Sequence, residues 1–166
     1  MSGSYEIIYM ANSITTIYTE LENILKSDVN LASYIKAYYE GYREDIPEGN
    51  FPCIMLDPVE ESEKIVSYPN FPELTIDIDI YCVLNVMDMD KQIIGDSTNK
   101  GIFDIIADVK NCLAGYLPSN GQALNGTCNK FSMSRVNYLF WNYNNYSFRG
   151  GVLRFQAVKE TTPNGR

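Results

Sequence analysis

The chain reads as an α+β domain: an antiparallel or mixed sheet of about four strands, with two amphipathic helices packed on one face. Three observations carry this. Residues 74–86 alternate apolar and polar side chains, as a strand with one buried face does. Residues 13–26 and 100–116 place apolar side chains at helical spacing. The segments run helix, short element, two strands, helix, two strands, which departs from the strict alternation of a parallel α/β sheet.

Taken in order, the first helix is expected over 13–26, SITTIYTELENILK. There Ile14, Ile17, Leu21, Ile24 and Leu25 share a face, and Asn12 or Ser13 can cap the start. Residues 1–12 and 161–166 are then extended or flexible ends of a single domain spanning 1–166. In DVNLASYIKAYYEGYRED the spacing fits both a short helix and a strand, until Gly41 or Ile46-Pro47-Glu48-Gly49 breaks it.

Phe51 to Leu56 is a continuous apolar run, which predicts a strand over 52–60 that is buried on both faces at its start. Asp57-Pro58 ends the apolar part. Glu60, Glu61 and Glu63 make an acidic, exposed segment, and Tyr68-Pro69-Asn70 signals a turn. The next strand, 73–86, sends Leu74, Ile76, Ile78, Ile80, Cys82, Leu84 and Val86 under the helices. Its other face carries Thr75, Asp77, Asp79, Tyr81, Val83 and Asn85. The intervening turn makes the two strands antiparallel.

The second helix places Ile102, Phe103, Ile105, Ile106, Val109, Leu113 and Tyr116 in a wide apolar stripe and stops at Gly115 and Pro118. Two strands close the chain, over 130–140 and 151–159, with turn chemistry at Asn142-Tyr143-Asn144-Asn145. Alternation in the first of them sets Phe131, Met133 and Arg135 against Ser132, Ser134 and Val136.

Composition removes several function classes. Histidine is absent, so Ser-His-Asp and Cys-His nucleophiles and the HExxH zinc pattern are unavailable. Arg149-Gly150-Gly151-Val152 lacks the spacing and the lysine of a phosphate-binding loop. Cys53, Cys82, Cys112 and Cys128 form no CxxC and read as buried free thiols, so neither a metal nor another cofactor is expected. A net charge of −8 repels phosphate backbones. No apolar run approaches the ~18 residues that span a bilayer, and MSGSYEIIYMANS has neither a basic start nor a long apolar segment. The expected place of synthesis is the cytoplasm, with no membrane partner.

Asp77 and Asp79 raise the question of chemistry. Two residues apart on one strand, their Cα atoms lie about 6.6–6.8 Å apart. That separation suits two acids flanking a bond, or part of a cation site, and would serve a small hydrolase or ligand-binding domain that also used a cysteine. A one-sided antiparallel sheet also needs polar residues at alternate positions. No third acid converges on the pair in the sequence. The expectation is that both face water or a water-filled space, and that exchanging both for lysine leaves the fold intact.

Aromatic residues are abundant at 34–42 and again at 138–148. Core packing accounts for many of them. Those beyond one small core suit a protein–protein contact, and Trp141, Tyr143 and Tyr146 are the candidates, together with Glu60, Glu61 and Glu63.

The order of "LKSDVNLASYIK", "IPEGNFPCIMLDPVEESE", "LTIDIDIYCVLNVMD" and "KGIFDIIADVKNCLAGY", closed by a strand pair, resembles the tail-terminator (tail-completion) proteins of long-tailed bacteriophages. The resemblance covers about residues 13–160 and leaves the first twelve residues and the 138–148 hairpin unaccounted for. It implies a small sheet backed by helices, and a homo-oligomeric ring, commonly a hexamer, at the head-proximal end of the tail tube. The ring would end tube growth and meet the head connector or stopper protein, with DNA passing through its lumen without specific binding. It implies a virion structural protein with no catalysis and no cofactor. Asp77 and Asp79 would then be lumen or solvent-face residues. Other neck, head-completion or tube subunits are the nearest alternatives.

Overall fold

The computed structural model describes residues 3–65, 72–85, 92–119, 121–143 and 146–160. Within them lie helices α1 (Gly3–Ser27), α2 (Val29–Ala32) and α3 (Ile102–Ala114), and strands β1 (Ala37–Glu40), β2 (Cys53–Ile65), β3 (Pro72–Asn85), β4 (Lys130–Tyr143) and β5 (Tyr146–Glu160). The strands form one mixed sheet in the order β1-β2-β3-β5-β4. Only β1 and β2 pair in parallel; every other neighbouring pair is antiparallel. The class is α+β, as the pattern of segments predicts.

One face of the sheet carries the main core. Ile17, Leu21, Ile24 and Leu25 of α1 and Ile102, Ile105, Ile106, Val109 and Leu113 of α3 pack with Ile76, Ile78, Ile80, Cys82 and Leu84 of β3. The even-numbered side of 74–84 is therefore the buried side; Val86 lies outside the described residues. Tyrosine hydroxyls tie the layers together. Tyr18 donates to the Leu56 carbonyl at 2.7 Å and Tyr38 to the Leu25 carbonyl at 3.1 Å. Two consecutive glycines in β5 let neighbours approach from both sides. A side chain at Gly150 would run into the Trp141 ring, and one at Gly151 into Ile106 of α3.

Several boundaries differ from expectation. The first helix begins at Gly3, so residues 3–12, expected as an extended end, are helical. Asn12 and Ser13 are good caps, but no Gly or Pro lies between Gly3 and Asn12, and a continuing helix overrides the signal. The ambiguous segment divides into α2 and β1, each short. β2 runs through the acidic segment to Ile65 because, past a bulge between Pro58 and Glu60, it goes on pairing with β3 as far as Ile65↔Pro72. The Tyr68-Pro69-Asn70 turn, Asn144-Asn145 and the 161–166 tail lie outside the described residues. A bulge between Met133 and Arg135 puts Val136 opposite Leu153 on the core side and Arg135 opposite Arg154 on the other. Simple alternation had paired these residues the other way round. Phe103, placed in the helical stripe, is exposed instead.

All four cysteines are free; Cys53, Cys82 and Cys128 are buried and Cys112 is half-buried. Burial pushes the thiols up from their ordinary value near 9.0, Cys53 to about 12 and Cys128 to about 11. Burial also pushes Cys112 to about 12, helped by the nearby Asp28. A raised native pKa stabilises the fold fully below the unfolded value, and the contribution is lost as pH climbs through the native one. The urea midpoint should therefore hold steady up to about pH 8.5 and fall between about pH 9 and 12. A disulfide reagent at pH 8 should find the buried thiols slow until the protein is denatured. Rapid labelling of all four in the native protein would contradict this.

Candidate functional site

The sheet face turned away from the helices is divided along its length. One end holds a small apolar cluster of Cys53, Met55, Val83 and Phe148, with Tyr39, Phe51, Tyr81, Trp141 and Tyr143 packed around it. The rest is polar, and the strand register sorts it into rows. Asp57, Asp79, Arg154 and Arg135 lie side by side across β2, β3, β5 and β4. The next row is Glu60, Asp77, Gln156 and Ser132. The face is thus acidic towards β2 and basic towards β4.

A bidentate ion pair near the centre of the face joins the two halves. Arg154 donates to both carboxylate oxygens of Asp79, from Nε and Nη2, each at 2.7 Å. This bidentate geometry is the strongest a carboxylate makes with a side chain. The bound carboxylate holds the Arg154 guanidinium above even its ordinary pKa. Asp79 is only 6% exposed, so the expectation that it faces water is incorrect. Cross-strand register decides this: β5 delivers a guanidinium directly opposite Asp79. Asp77 is half-buried and accepts from Gln156 Nε2 at 3.0 Å. The double lysine exchange, expected to be harmless, would set a cation against Arg154. With both oxygens of Asp79 engaged, the pair is poorly suited to flank a reacting bond. Among the described residues, no group of three or more Cys, Asp or Glu is placed to hold a metal ion. A cleft of about 560 Å³ opens between α2 and the end of β3, near Tyr34, Leu84 and Lys100, and neither aspartate lines it.

The other sequence-chosen residues separate into two groups. Trp141 and Tyr143 are half-buried in the apolar cluster; the Trp141 and Phe148 rings lie 5.7 Å apart. Tyr146, Glu60, Glu61 and Glu63 are exposed. The three glutamates make no ion pair among the described residues.

A further surface emerges at the β4 edge. Tyr138, 50% exposed, meets exposed Phe103 of α3 with ring centroids 5.1 Å apart. Phe140, on the same side of β4, lies under the Arg149 guanidinium at 4.9 Å. Exposed Ile93 and Ile94 adjoin Phe103, whose backbone N–H donates to the Ile93 carbonyl at 3.0 Å. These residues flank the outer edge of a fourteen-residue strand that, among the described residues, pairs only with β5. A long edge strand bearing exposed apolar side chains is a ready template for another chain. The signal available in the sequence was a helical stripe wider than one face needs, which left Phe103 over.

No protein-family model and no curated protein matches this chain. Among the described residues, no helix is long and apolar enough to cross a membrane.

Proposed function

We propose that the chain is a structural subunit of a long-tailed phage virion, forming a ring at the head-proximal end of the tail tube. There it terminates the tube and joins it to the head connector. The observation that carries this reading is the β4 edge: fourteen residues without an outer strand partner among the described residues, beside exposed Phe103, Tyr138 and Phe140. Such an edge suits joining to another chain. The place in the virion rests on the resemblance of the order of segments to that of the tail-terminator proteins. A net charge of −8 favours DNA passing through the ring without adhering. The engaged Asp79 weighs against the hydrolase alternative.

Tubes assembled from the tube protein of the same virion provide the test. Added to them, the purified chain should sit at one end in electron micrographs and stop further growth. Incorporation along the wall would mark a tube subunit. Binding to the head connector alone would mark a neck or head-completion protein. Failure to engage either would end the proposal.

A further inference from the structure

We infer that copies of this chain join head to tail by strand addition, β4 of one copy lying along the free outer edge of β2 in the next. The inference rests on the reading of the chain as an assembly subunit and names the surfaces that such a subunit uses.

Both edges are open. β1 covers β2 only from Cys53 to Leu56, so the backbone of 57–65 has no outer strand partner among the described residues. The outer side of β4 likewise has no strand partner among the described residues.

Their charges are complementary. Residues 57–65 hold four acids, Asp57, Glu60, Glu61 and Glu63, against one cation, Lys64. β4 holds Lys130 and Arg135 and no acid. Lys130 is partly engaged within its own subunit, 3.5 Å from Glu160 and 3.8 Å from Glu73. Arg135 is exposed and has no ion-pair partner among the described residues.

Within one copy, like charges stand opposite each other. Asp57 faces Asp79 and Glu60 faces Asp77 on one half of the sheet. Arg135 faces Arg154 on the other. Like charges directly opposite across a strand pair destabilise it. Placing β4 beside the next copy's β2 sets Arg135 on the same face as Asp57 and Glu60 and relieves both halves at once. A two-fold β4-to-β4 contact brings no acid to Arg135.

The strand directions also fit. β2 opposes β3, β3 opposes β5 and β5 opposes β4, so β4 runs against β2. Rotation about an axis along the strands preserves each copy's direction. The contact is therefore antiparallel, the more stable pairing, and because it joins two different surfaces it propagates from copy to copy, into a ring where the rotation closes.

Two charge reversals test this. One variant carries Arg135→Glu and Asn137→Glu on β4, leaving the Lys130 bridges intact. The other carries Glu60→Lys, Glu61→Lys and Glu63→Lys on β2. All five positions are exposed, and the melting temperature of each variant, followed by circular dichroism, checks that it folds. Self-association is read by native mass spectrometry and sedimentation, with the protein alone and on tube ends. Wild type should form oligomers larger than a dimer that weaken with salt. Each variant should associate about tenfold or more weakly, and an equimolar mixture of the two should recover assembly in alternating order. Three results would overturn the inference. These are a wild-type chain that stays monomeric both alone and on tubes, variants that assemble as wild type does, and a dimer indifferent to the β2 reversal, which would mark two-fold β4 pairing. A chain that caps tubes with unchanged assembly in both variants removes the edge pairing alone. A chain that assembles by charge as described and never engages a tube or connector removes the virion reading alone.

Discussion

Replacing Ile78 by aspartate is expected to abolish cooperative folding. Ile78 is fully buried in β3, the middle strand of five, beneath both long helices. Its cross-strand neighbours are Pro58 and Phe155. Loss of a large aliphatic side chain from such a position costs about 2–5 kcal/mol by itself. The incoming carboxylate adds a desolvation cost, paired with nothing, or must take up a proton. Against a total stability of about 5–15 kcal/mol for a domain, the two together suffice to unfold the protein. The purified variant should show no sigmoidal transition in thermal or urea denaturation. A melting curve close to that of wild type would mean that the helices cover the opposite face of the sheet.

Asp79→Ala should be the costliest substitution on the polar face. It leaves the Arg154 guanidinium, 21% exposed in its side chain, without its carboxylate. Fully enclosed pairs lose about 3–5 kcal/mol when one partner is removed; here about 2–4 is expected, because Arg154 can turn towards water. Asp77→Ala removes one hydrogen bond from a neutral amide, and about 1 kcal/mol or less should follow. Urea denaturation of the two variants side by side measures the difference. Exchanging both partners for apolar residues, Asp79→Leu with Arg154→Met, should restore most of the loss, since the penalty lies in the stranded charge more than in the missing attraction. Equal, small effects of Asp79→Ala and Asp77→Ala would show that both aspartates sit in solvated slots after all.

The sequence by itself determined the two long helices, the main strands and the buried side of β3. Period-two alternation in 74–86 and helical spacing in 13–26 and 102–113 are local consequences of backbone geometry and survive any arrangement of neighbours. So did the doubly buried start of β2, because a run from Cys53 to Leu56 offers no polar side to expose. The acidic, exposed character of 60–63 was equally legible.

Only the tertiary structure decided what lies beside what. Asp79 reads as a solvent-facing acid until β5 brings Arg154 across from it, some seventy-five residues later in the chain. The bulge after Met133 exchanges the sides of Arg135 and Val136, and a strict alternation cannot foresee an inserted residue. Phe103 and Tyr138 form their exposed pair because the first turn of α3 lies over the β4 edge. That β4 is an edge at all follows from strand order, with β5 returning between β3 and β4. Side-chain periodicity records how a segment meets its surroundings on average. Partners, register and edges are set by long-range pairing, to which no local pattern is sensitive.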